Sequence, residues 1–249
     1  MRHGGVRGDG TEESVGRKGT SSLAELAYDR IEELLVHLVI KPGAYLQISD
    51  LQDMVRLGRS PVLEATRRFA HDTLMRILPR RGLHVAPIDL ARERRLLRLR
   101  RDMERFVVEL AAERATTLHR SQMARLIARL TTERTTGNVP EFNRLDRLLD
   151  RVVLLAAAEP FIAYSLRPLR TLVRRTGYVY LTRIGEIDDF AENVDVHIEL
   201  LKAIAAGQVK DAIAASDALI DFNDRTFEPL QHQVEPALLD ASLDPIDDI

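Results

Sequence analysis

The 249-residue sequence contains no cysteine and no long apolar run. The absence of cysteine excludes disulfides, thiolate metal sites and a cysteine nucleophile. No stretch approaches the ~20 consecutive apolar residues that a membrane-spanning helix needs. Residues 1–10 also lack the apolar segment of a secretory signal. We therefore expect a cytoplasmic protein that neither crosses a membrane nor enters the secretory route.

The charged residues are unevenly distributed along the chain. The net charge is only −2, and 45% of the residues are apolar, as in ordinary globular proteins. Residues 1–134 nevertheless contain 25 basic and 18 acidic side chains, whereas residues 135–249 contain 11 and 20. This separation favours an anionic partner for the basic half. Solvated helix faces would give the same pattern, so charge alone leaves both interpretations open.

The N-terminal third has the pattern of a short tail followed by three helices. Residues 1–20 have almost no apolar content, which predicts a disordered tail. Apolar residues then recur at helical spacing from residue 21 to about residue 40. Shorter helices are predicted around 49–56 and 60–71, with Ser60 as the cap of the latter.

A basic hairpin follows these helices. Residues 75–87 alternate in the manner of two short strands around the turn formed by Arg80, Arg81 and Gly82. Three helices and a basic hairpin are the outline of a winged helix-turn-helix. We assign this unit to residues 21–87.

The remainder of the chain is predicted to be helical. Residues 88–136 contain neither glycine nor proline, and later breaks are short. Residues 88–228 therefore predict an all-helical bundle of six or seven helices, and residues 229–249 an acidic, weakly ordered tail. The expected fold class is mainly α: an N-terminal winged helix-turn-helix followed by a helical bundle.

The basic charge is densest where such a fold contacts DNA. Residues 56–81 contain seven arginines and two acids. The second helix of a helix-turn-helix enters the major groove with its first residues at the base edges, where an arginine can donate two hydrogen bonds to guanine. The alternative for any single arginine is a solvated surface charge. The residues expected to contact DNA are Arg59, Ser60, Arg67, Arg68, Arg80, Arg81 and Gly82.

Two long segments resemble a known family. The segment GRSPVLEATRRFAHDTLMRILPRRGLHVAP is similar to the recognition helix and wing of the GntR family of bacterial transcription regulators. Residues 88–227, with DMERFVVELAAERAT and DVHIELLKAIAAGQVKDAIAAS, resemble the FCD ligand-binding domain of the FadR-like subgroup. The resemblance implies a homodimer that binds a palindromic operator in double-stranded DNA, commonly as a repressor, under the control of a small molecule.

The recognition helix departs from the family pattern at two positions. Leu63 stands where the family usually has a second base-reading arginine, and Gly58 stands where it has a phosphate-binding serine. Both changes remove contacts, so we expect an altered operator or weaker binding.

The resemblance also implies a metal site in the helical domain. Its ligands are an Asp, a His four residues later, and one His in each of the last two long helices. Asp146 and His197 match this set, Asp150 replaces the first His, and Leu219 replaces the last. The oxygen-rich remainder would shift preference from Zn²⁺ or Ni²⁺ towards Mn²⁺ or Mg²⁺. Because half of the ligand set is lost, we expect weak or no divalent metal binding. In that case the two aspartates would pair with Arg144, Arg147 or Arg151, and His197 would be an interior histidine.

A carboxylate effector would then need side-chain cations. Arginine pairs with carboxylates through two parallel hydrogen bonds. Arg100 matches a family position that faces the pocket, although its arginine-rich surroundings would equally suit a surface residue. The expected effector-binding residues are Arg100, Arg174, Arg175 and Tyr178.

Two other functions compete with DNA binding. Asp146, Asp150 and His197 could support metal-assisted hydrolysis, but the sequence has no nucleophile elbow, glycine-rich phosphate loop or HExxH motif. The second alternative is a helical scaffold that binds only protein. We expect no enzyme, and DNA binding that weakens with salt would exclude the scaffold.

Overall fold

The computed structural model describes residues 12–243, with side chains from 23 to 242. The N-terminal domain is a winged helix-turn-helix, as predicted. Its first helix begins at Glu12, so residues 12–20 are helical rather than part of a disordered tail; residues 1–11 of that prediction lie outside the described part. The elements are α1 (Glu12–Val36), β1 (Tyr45–Leu46), α2 (Ile48–Val55), α3 (Arg59–His71), β2 (Met75–Leu78) and β3 (Gly82–Val85).

The wing is a three-stranded antiparallel sheet with the order β1-β3-β2. In the central strand, Leu83 pairs with Leu46 on one side and with Ile77 on the other. The strand β1 has only two residues, too few to produce an alternating pattern, and the sequence did not predict it. The core of this domain includes Tyr28 of α1 stacked on Phe69 of α3, with ring centroids 4.2 Å apart.

The C-terminal domain is a bundle of six long helices, which confirms the predicted fold class. The break between the first two falls at Thr116, whose hydroxyl accepts a hydrogen bond from the backbone N–H of His119. The helices are α4 (Leu90–Arg114), α5 (Thr117–Glu133), α6 (Val139–Ala157), α7 (Pro160–Arg183), α8 (Ile187–Ala206) and α9 (Val209–Gln233). None of the helices in residues 12–243 is long and apolar enough to cross a membrane.

The last described residues return to the N-terminal domain. After α9 come α10 (Pro236–Leu239) and a 3-10 turn (Ala241–Leu243), where a weakly ordered tail was predicted; residues 244–249 lie outside the described part. The N–H of Ala241 donates to the carbonyl of Pro42 at 2.7 Å, and the N–H of Ile88 donates to the carbonyl of Leu239 at 2.8 Å. Gly43, with φ +77°, has no room for a Cβ beside Asp240. This segment is therefore docked against the loop between α1 and β1 and against the linker to the helical domain.

Helix α7 joins the two domains. Its Leu172 belongs to the hydrophobic core of the N-terminal domain, and its first half faces the core of the helical bundle through Leu166 and Leu169. A single helix thus packs against α1 on one side and against the bundle on the other. Its polar residues lie between the two cores.

Candidate DNA interface and ligand cavity

The recognition helix α3 begins one residue earlier than predicted. Gly58 occupies the N-cap position with extended backbone (φ −66°, ψ 166°) and offers no side-chain cap. Ser60 therefore lies inside the first turn and does not cap the helix. Pro61 and Val62 are buried, which turns Arg59 and Ser60 outward.

Two neighbouring arginines of α3 have different surroundings. Arg67 is exposed. The guanidinium of Arg68 instead donates to Glu25 at 2.8 Å and lies 4.3 Å above the ring of Tyr28. Arg68 therefore stabilises the packing of α3 on α1, whereas Arg67 faces outward as a DNA-contacting residue would.

The wing turn presents Arg80 and Arg81 to solvent. Arg80 has a left-handed backbone (φ +63°), and the N–H of Arg81 closes the turn by donating to the carbonyl of Leu78 at 3.0 Å. Gly82 has φ +93°, and a Cβ there would lie 2.5 Å from the carbonyl oxygen of Leu46. Glycine is thus required at this position for β3 to pack on β1. This requirement is separate from any close approach of the turn to DNA.

The charge on this face is largely uncompensated. Of the seven arginines between residues 56 and 81, Arg68 is the one with an ion-pair partner among residues 23–242. Exposed arginines without acidic partners are available to phosphates, whose neutralisation supplies most of the affinity for DNA. Arg59, Arg67, Arg80 and Arg81 all belong to this unpaired group.

The helical domain has a small, partly open polar cavity between α4, α6, α7, α8 and α9. Its volume is about 40 Å³, room for a few water molecules. Apolar walls are supplied by Phe142, Val173, Leu181 and Leu219. The polar residues that line it are Arg100, Asn143, Asp146, Arg170, Arg174, Asn193, His197 and Asn223.

Arg174 lies at the centre of the predicted metal-ligand group. Its Nε donates to Asp146 at 2.6 Å, one terminal nitrogen donates to Asp150, and the other donates to Glu32 of α1 at 3.3 Å. His197 Nε2 lies 3.4 Å from the other oxygen of Asp146. The three predicted ligands are therefore close together, but a guanidinium occupies the position between the two carboxylates.

As arranged, these residues do not fit a metal ion. Within residues 12–243, no group of three or more acidic, histidine or cysteine side chains could hold one. The alternative partners predicted for the two aspartates are wrong, because all three arginines have other acceptors. Arg144 pairs with Glu141, while Arg147 and Arg151 reach Glu33 and Asp29 of α1.

A second arginine completes the charged cluster. Arg170 donates two hydrogen bonds to Glu104, at 2.8 and 2.6 Å, and its Nη1 lies 3.0 Å from Asp150. Arg100 is buried and donates to Glu104 at 3.1 Å, so it faces the cavity and is not a surface residue. Three arginines thus face four buried or nearly buried acids: Glu32, Glu104, Asp146 and Asp150.

The acids of the cluster titrate differently. Burial alone would raise the pKa of Glu104, but Arg170 and Arg100 outweigh it and lower the pKa to about 2. Burial also opposes ionisation of Asp146, and there Arg174 and His197 keep the pKa below its usual range. For Asp150, burial outweighs Arg170 and Arg174, and the charges of Asp146 and Glu104 add to it, so its pKa is raised. Asp150 is therefore the carboxylate that most readily accepts a proton.

Two buried donors in the cavity lack hydrogen bonds. Asn143, 4% exposed, has no acceptor for its Nδ2, and Nη1 of Arg170 has none of good geometry despite its ionic contact with Asp150. Such orphan donors are costly unless a ligand or water accepts from them. Asn143, Arg170, Glu104 and Glu32 were not among the residues that the sequence predicted for this site. The spacing of Asn143, Asp146 and Asp150 on one helix face was the signal that could have found Asn143.

Two predicted effector-binding residues lie outside the cavity. Arg175, 1% exposed, donates to the carbonyl oxygens of Ala86 (2.7 Å) and Pro87 (3.1 Å) and pairs with Glu93 at 3.3 Å. Tyr178 contacts the ring of His37, with centroids 5.1 Å apart. One residue along a helix turns the side chain by about 100°, so Arg175 faces the interdomain linker when Arg174 faces the cavity.

Two family profiles match separate parts of the chain. Residues 23–85 match the profile described as bacterial regulatory proteins, gntR family, and residues 95–222 match the FCD domain. Among solved structures, E. coli McbR/YncC superposes with a TM-score of 0.73 at 18% identity, over 84% of this chain and 99% of that one. A candidate GntR transcriptional regulator from Rhodococcus sp. RHA1 gives 0.57 at 18% identity, over 88% and 100%. No curated protein sequence matches.

Proposed function

Because the chain belongs to the GntR family of bacterial regulatory proteins and carries an FCD domain, we propose that it represses transcription from a palindromic operator as a homodimer. A small organic acid bound in the helical domain controls the binding. Such a regulator works in the cytoplasm, where the chromosome lies. The family leaves the hydrolase and the protein-only scaffold without support.

The observation that carries the DNA-binding proposal is the set of exposed, unpaired arginines on α3 and the wing. Arg59 opens α3, where a side chain reaches base edges, and Arg80 and Arg81 form the wing tip. Selection of binding sites from random duplexes tests the proposal. We expect a palindromic site whose affinity falls steeply as salt rises. Failure to select any sequence would overturn it.

The unpaired donors of the cavity support an oxygen-bearing effector. A carboxylate can accept hydrogen bonds from Asn143 and Arg170 together. The raised pKa of Asp150 lets the cluster take up a proton when a further negative charge enters. Because the cavity holds only a few waters, the acid must be small or must displace side chains. A thermal-shift screen of carboxylic acids tests this, with Asn143→Ala expected to lose the response.

We also propose that this domain works without a resident divalent metal. The guanidinium of Arg174 already supplies a positive charge to Asp146 and Asp150. Calorimetric titration with Mn²⁺ and Zn²⁺ should show no binding to the unaltered protein. Arg174→Ala removes the guanidinium from between the two carboxylates, leaving Asp146 beside His197 and Asp150 beside Arg170, and should gain a site. Stoichiometric metal on the unaltered protein would contradict the proposal.

Exposed aromatic residues on α7 support the homodimer. Phe161 and Tyr164 are 75% and 73% exposed and lie one turn apart on the same face. Large apolar side chains grouped on a surface commonly mark contacts with another chain. Light scattering after size exclusion should give twice the mass of the 28.2 kDa chain, and Phe161→Asp should shift the protein towards the monomer.

A further inference from the structure

Glu32 is an acid of the N-terminal domain whose charge is satisfied by the helical domain. It lies on α1 and is 5% exposed. Its Oε1 accepts from the hydroxyl of Thr171 at 2.5 Å and from Arg174 at 3.3 Å, and its Oε2 lies 3.8 Å from Arg147. A buried carboxylate is strongly destabilised when it loses its positive partner. The position of α1 on the helical domain therefore depends on Arg174.

The same guanidinium faces the cavity. Its remaining nitrogens bind Asp146 and Asp150, so carboxylates from both domains share one positive charge. Nearly all of this cluster is withdrawn from water, where charges interact more strongly than at the surface. A change of charge at the cavity must alter the interaction between Arg174 and Glu32.

The next residue provides an internal comparison. Arg175 fastens α7 to the interdomain linker through the carbonyls of Ala86 and Pro87, and it pairs with Glu93 of α4, to which Thr176 also donates. Thr171 and Arg174 hold Glu32 in the same way that Thr176 and Arg175 hold Glu93. Arg175 does not line the cavity, however, so Arg174 alone of the two touches both the cavity and α1.

We propose that Arg174 transmits the charge state of the cavity to the DNA-binding domain. Added negative charge in the cavity competes with Glu32 for the guanidinium and loosens α1, whereas removal of negative charge tightens the Glu32 contact. The inference rests on the proposed function, since the natural source of added charge is an anionic effector. Arg174 is here a positioning residue, because it acts on DNA through α1.

Two nearly isosteric substitutions change the cavity charge in opposite directions. Asn143→Asp adds a carboxylate at the cavity lining, as a bound anion would, and Asp150→Asn removes one from the charged cluster beside it, where Asp150 pairs with Arg174. The readout is hydrogen exchange of the backbone amides of residues 26–36 in the full-length protein at pH 8, which reports local opening of α1. We expect exchange to be about threefold or more faster in Asn143→Asp and slower by a similar factor in Asp150→Asn.

The background variant Glu32→Gln distinguishes transmission from a general change in stability. Both effects should disappear when Glu32 is neutral, because Arg174 then has no charged partner on α1. Asp217→Asn, which alters an ion pair with Arg105 on another surface, should leave exchange in 26–36 unchanged. If Asp150→Asn fails to fold, Asp146→Asn removes the carboxylate that lines the cavity and also pairs with Arg174.

Equal exchange in the two charge variants, or equal effects with and without Glu32, would overturn the inference. The exchange experiment needs neither DNA nor an effector. Its failure is therefore separate from a failure of the selection experiment, which would overturn the proposed function instead.

Discussion

The two domains use arginine in opposite ways. On α3 and the wing, Arg59, Arg67, Arg80 and Arg81 are exposed, and none of them has an ion-pair partner in the described part of the chain. In the helical domain, Arg100, Arg170 and Arg174 are buried and each is paired with acids. Unpaired charge at the surface is available to a partner, whereas paired charge in the interior fixes the positions of helices. Composition alone cannot distinguish the two, since both regions are rich in arginine.

The largest expected effect is a loss of folding stability when one of the buried ion pairs is broken. Glu104→Ala leaves Arg170 and Arg100 without their shared carboxylate in the interior, and breaking a buried pair costs about 3–5 kcal/mol. We expect the melting temperature to fall by roughly 10 °C or more. The control Asp217→Ala breaks the partly exposed pairs with Arg105 and Arg101 and should cost about 1 kcal/mol or less for each pair. Equal losses in calorimetry would remove the distinction between the buried and surface pairs.

The next effect is on DNA affinity. Arg59→Ala should weaken binding to the selected operator by about 10- to 100-fold, the contribution of one good base contact, and should leave the melting temperature unchanged. Arg30→Ala should weaken it far less, although Arg30 donates to the carbonyl of Val55 and so supports α2. Arg125, an exposed residue of α5, is the cleaner control. Fluorescence anisotropy would refute the groove assignment if Arg59→Ala and Arg125→Ala bound equally.

A smaller effect concerns pH. The raised pKa of Asp150 means that the folded protein binds its proton more tightly than the unfolded chain. That contribution to stability is present below about pH 4, the ordinary pKa of aspartate, and is lost as pH rises towards neutrality. Asp150→Asn lacks this titration, so its free energy of unfolding should rise by about 1 kcal/mol relative to that of the unaltered protein as pH increases from 5 to 7.5. Urea unfolding that gives the same difference in free energy between the variant and the unaltered protein at both pH values would contradict this.

The smallest expected effect is a slight gain in stability and in operator affinity from a substitution at the start of α3. A Cβ at Gly58 meets no atom within 4 Å, and its φ of −66° suits any residue. Gly58→Ser should add the missing side-chain cap, worth a few tenths of a kcal/mol over glycine, and a hydroxyl for a phosphate. We expect a slight rise in melting temperature and about a twofold tighter operator complex. Gly58→Ala, which lacks the hydroxyl, serves as control; an equal gain in affinity would exclude the phosphate contact.

Local sequence signals predicted most of the fold. The helical periodicity of residues 21–40 and the proline and glycine breaks locate the helices to within a few residues, because these signals act within one element. The exceptions are features that depend on tertiary contacts. The strand β1 exists because it pairs with β3, and α9 extends beyond residue 227 because Leu230 is buried in a small cluster with Val179 and Ile88.

The cavity was only partly predictable for the same reason. Spacing placed Asp146 and Asp150 on one face of α6, and the family resemblance added His197. No spacing within α6 could indicate that Arg174 of α7 would lie between the carboxylates, or that Arg144, Arg147 and Arg151 would pair elsewhere. Likewise, Arg68 and Arg67 are adjacent in sequence, and only the packing of α3 on Tyr28 separates their roles.

The hydrogen bonds from Ala241 to Pro42 and from Ile88 to Leu239 hold residues 236–243 against the loop between α1 and β1 and against the interdomain linker. A swap of DNA-binding heads between relatives that cuts the sequence once, in the 86–89 linker, would separate residues 236–243 from the loop on which they dock. Chimeras should therefore transplant this terminal segment together with the head.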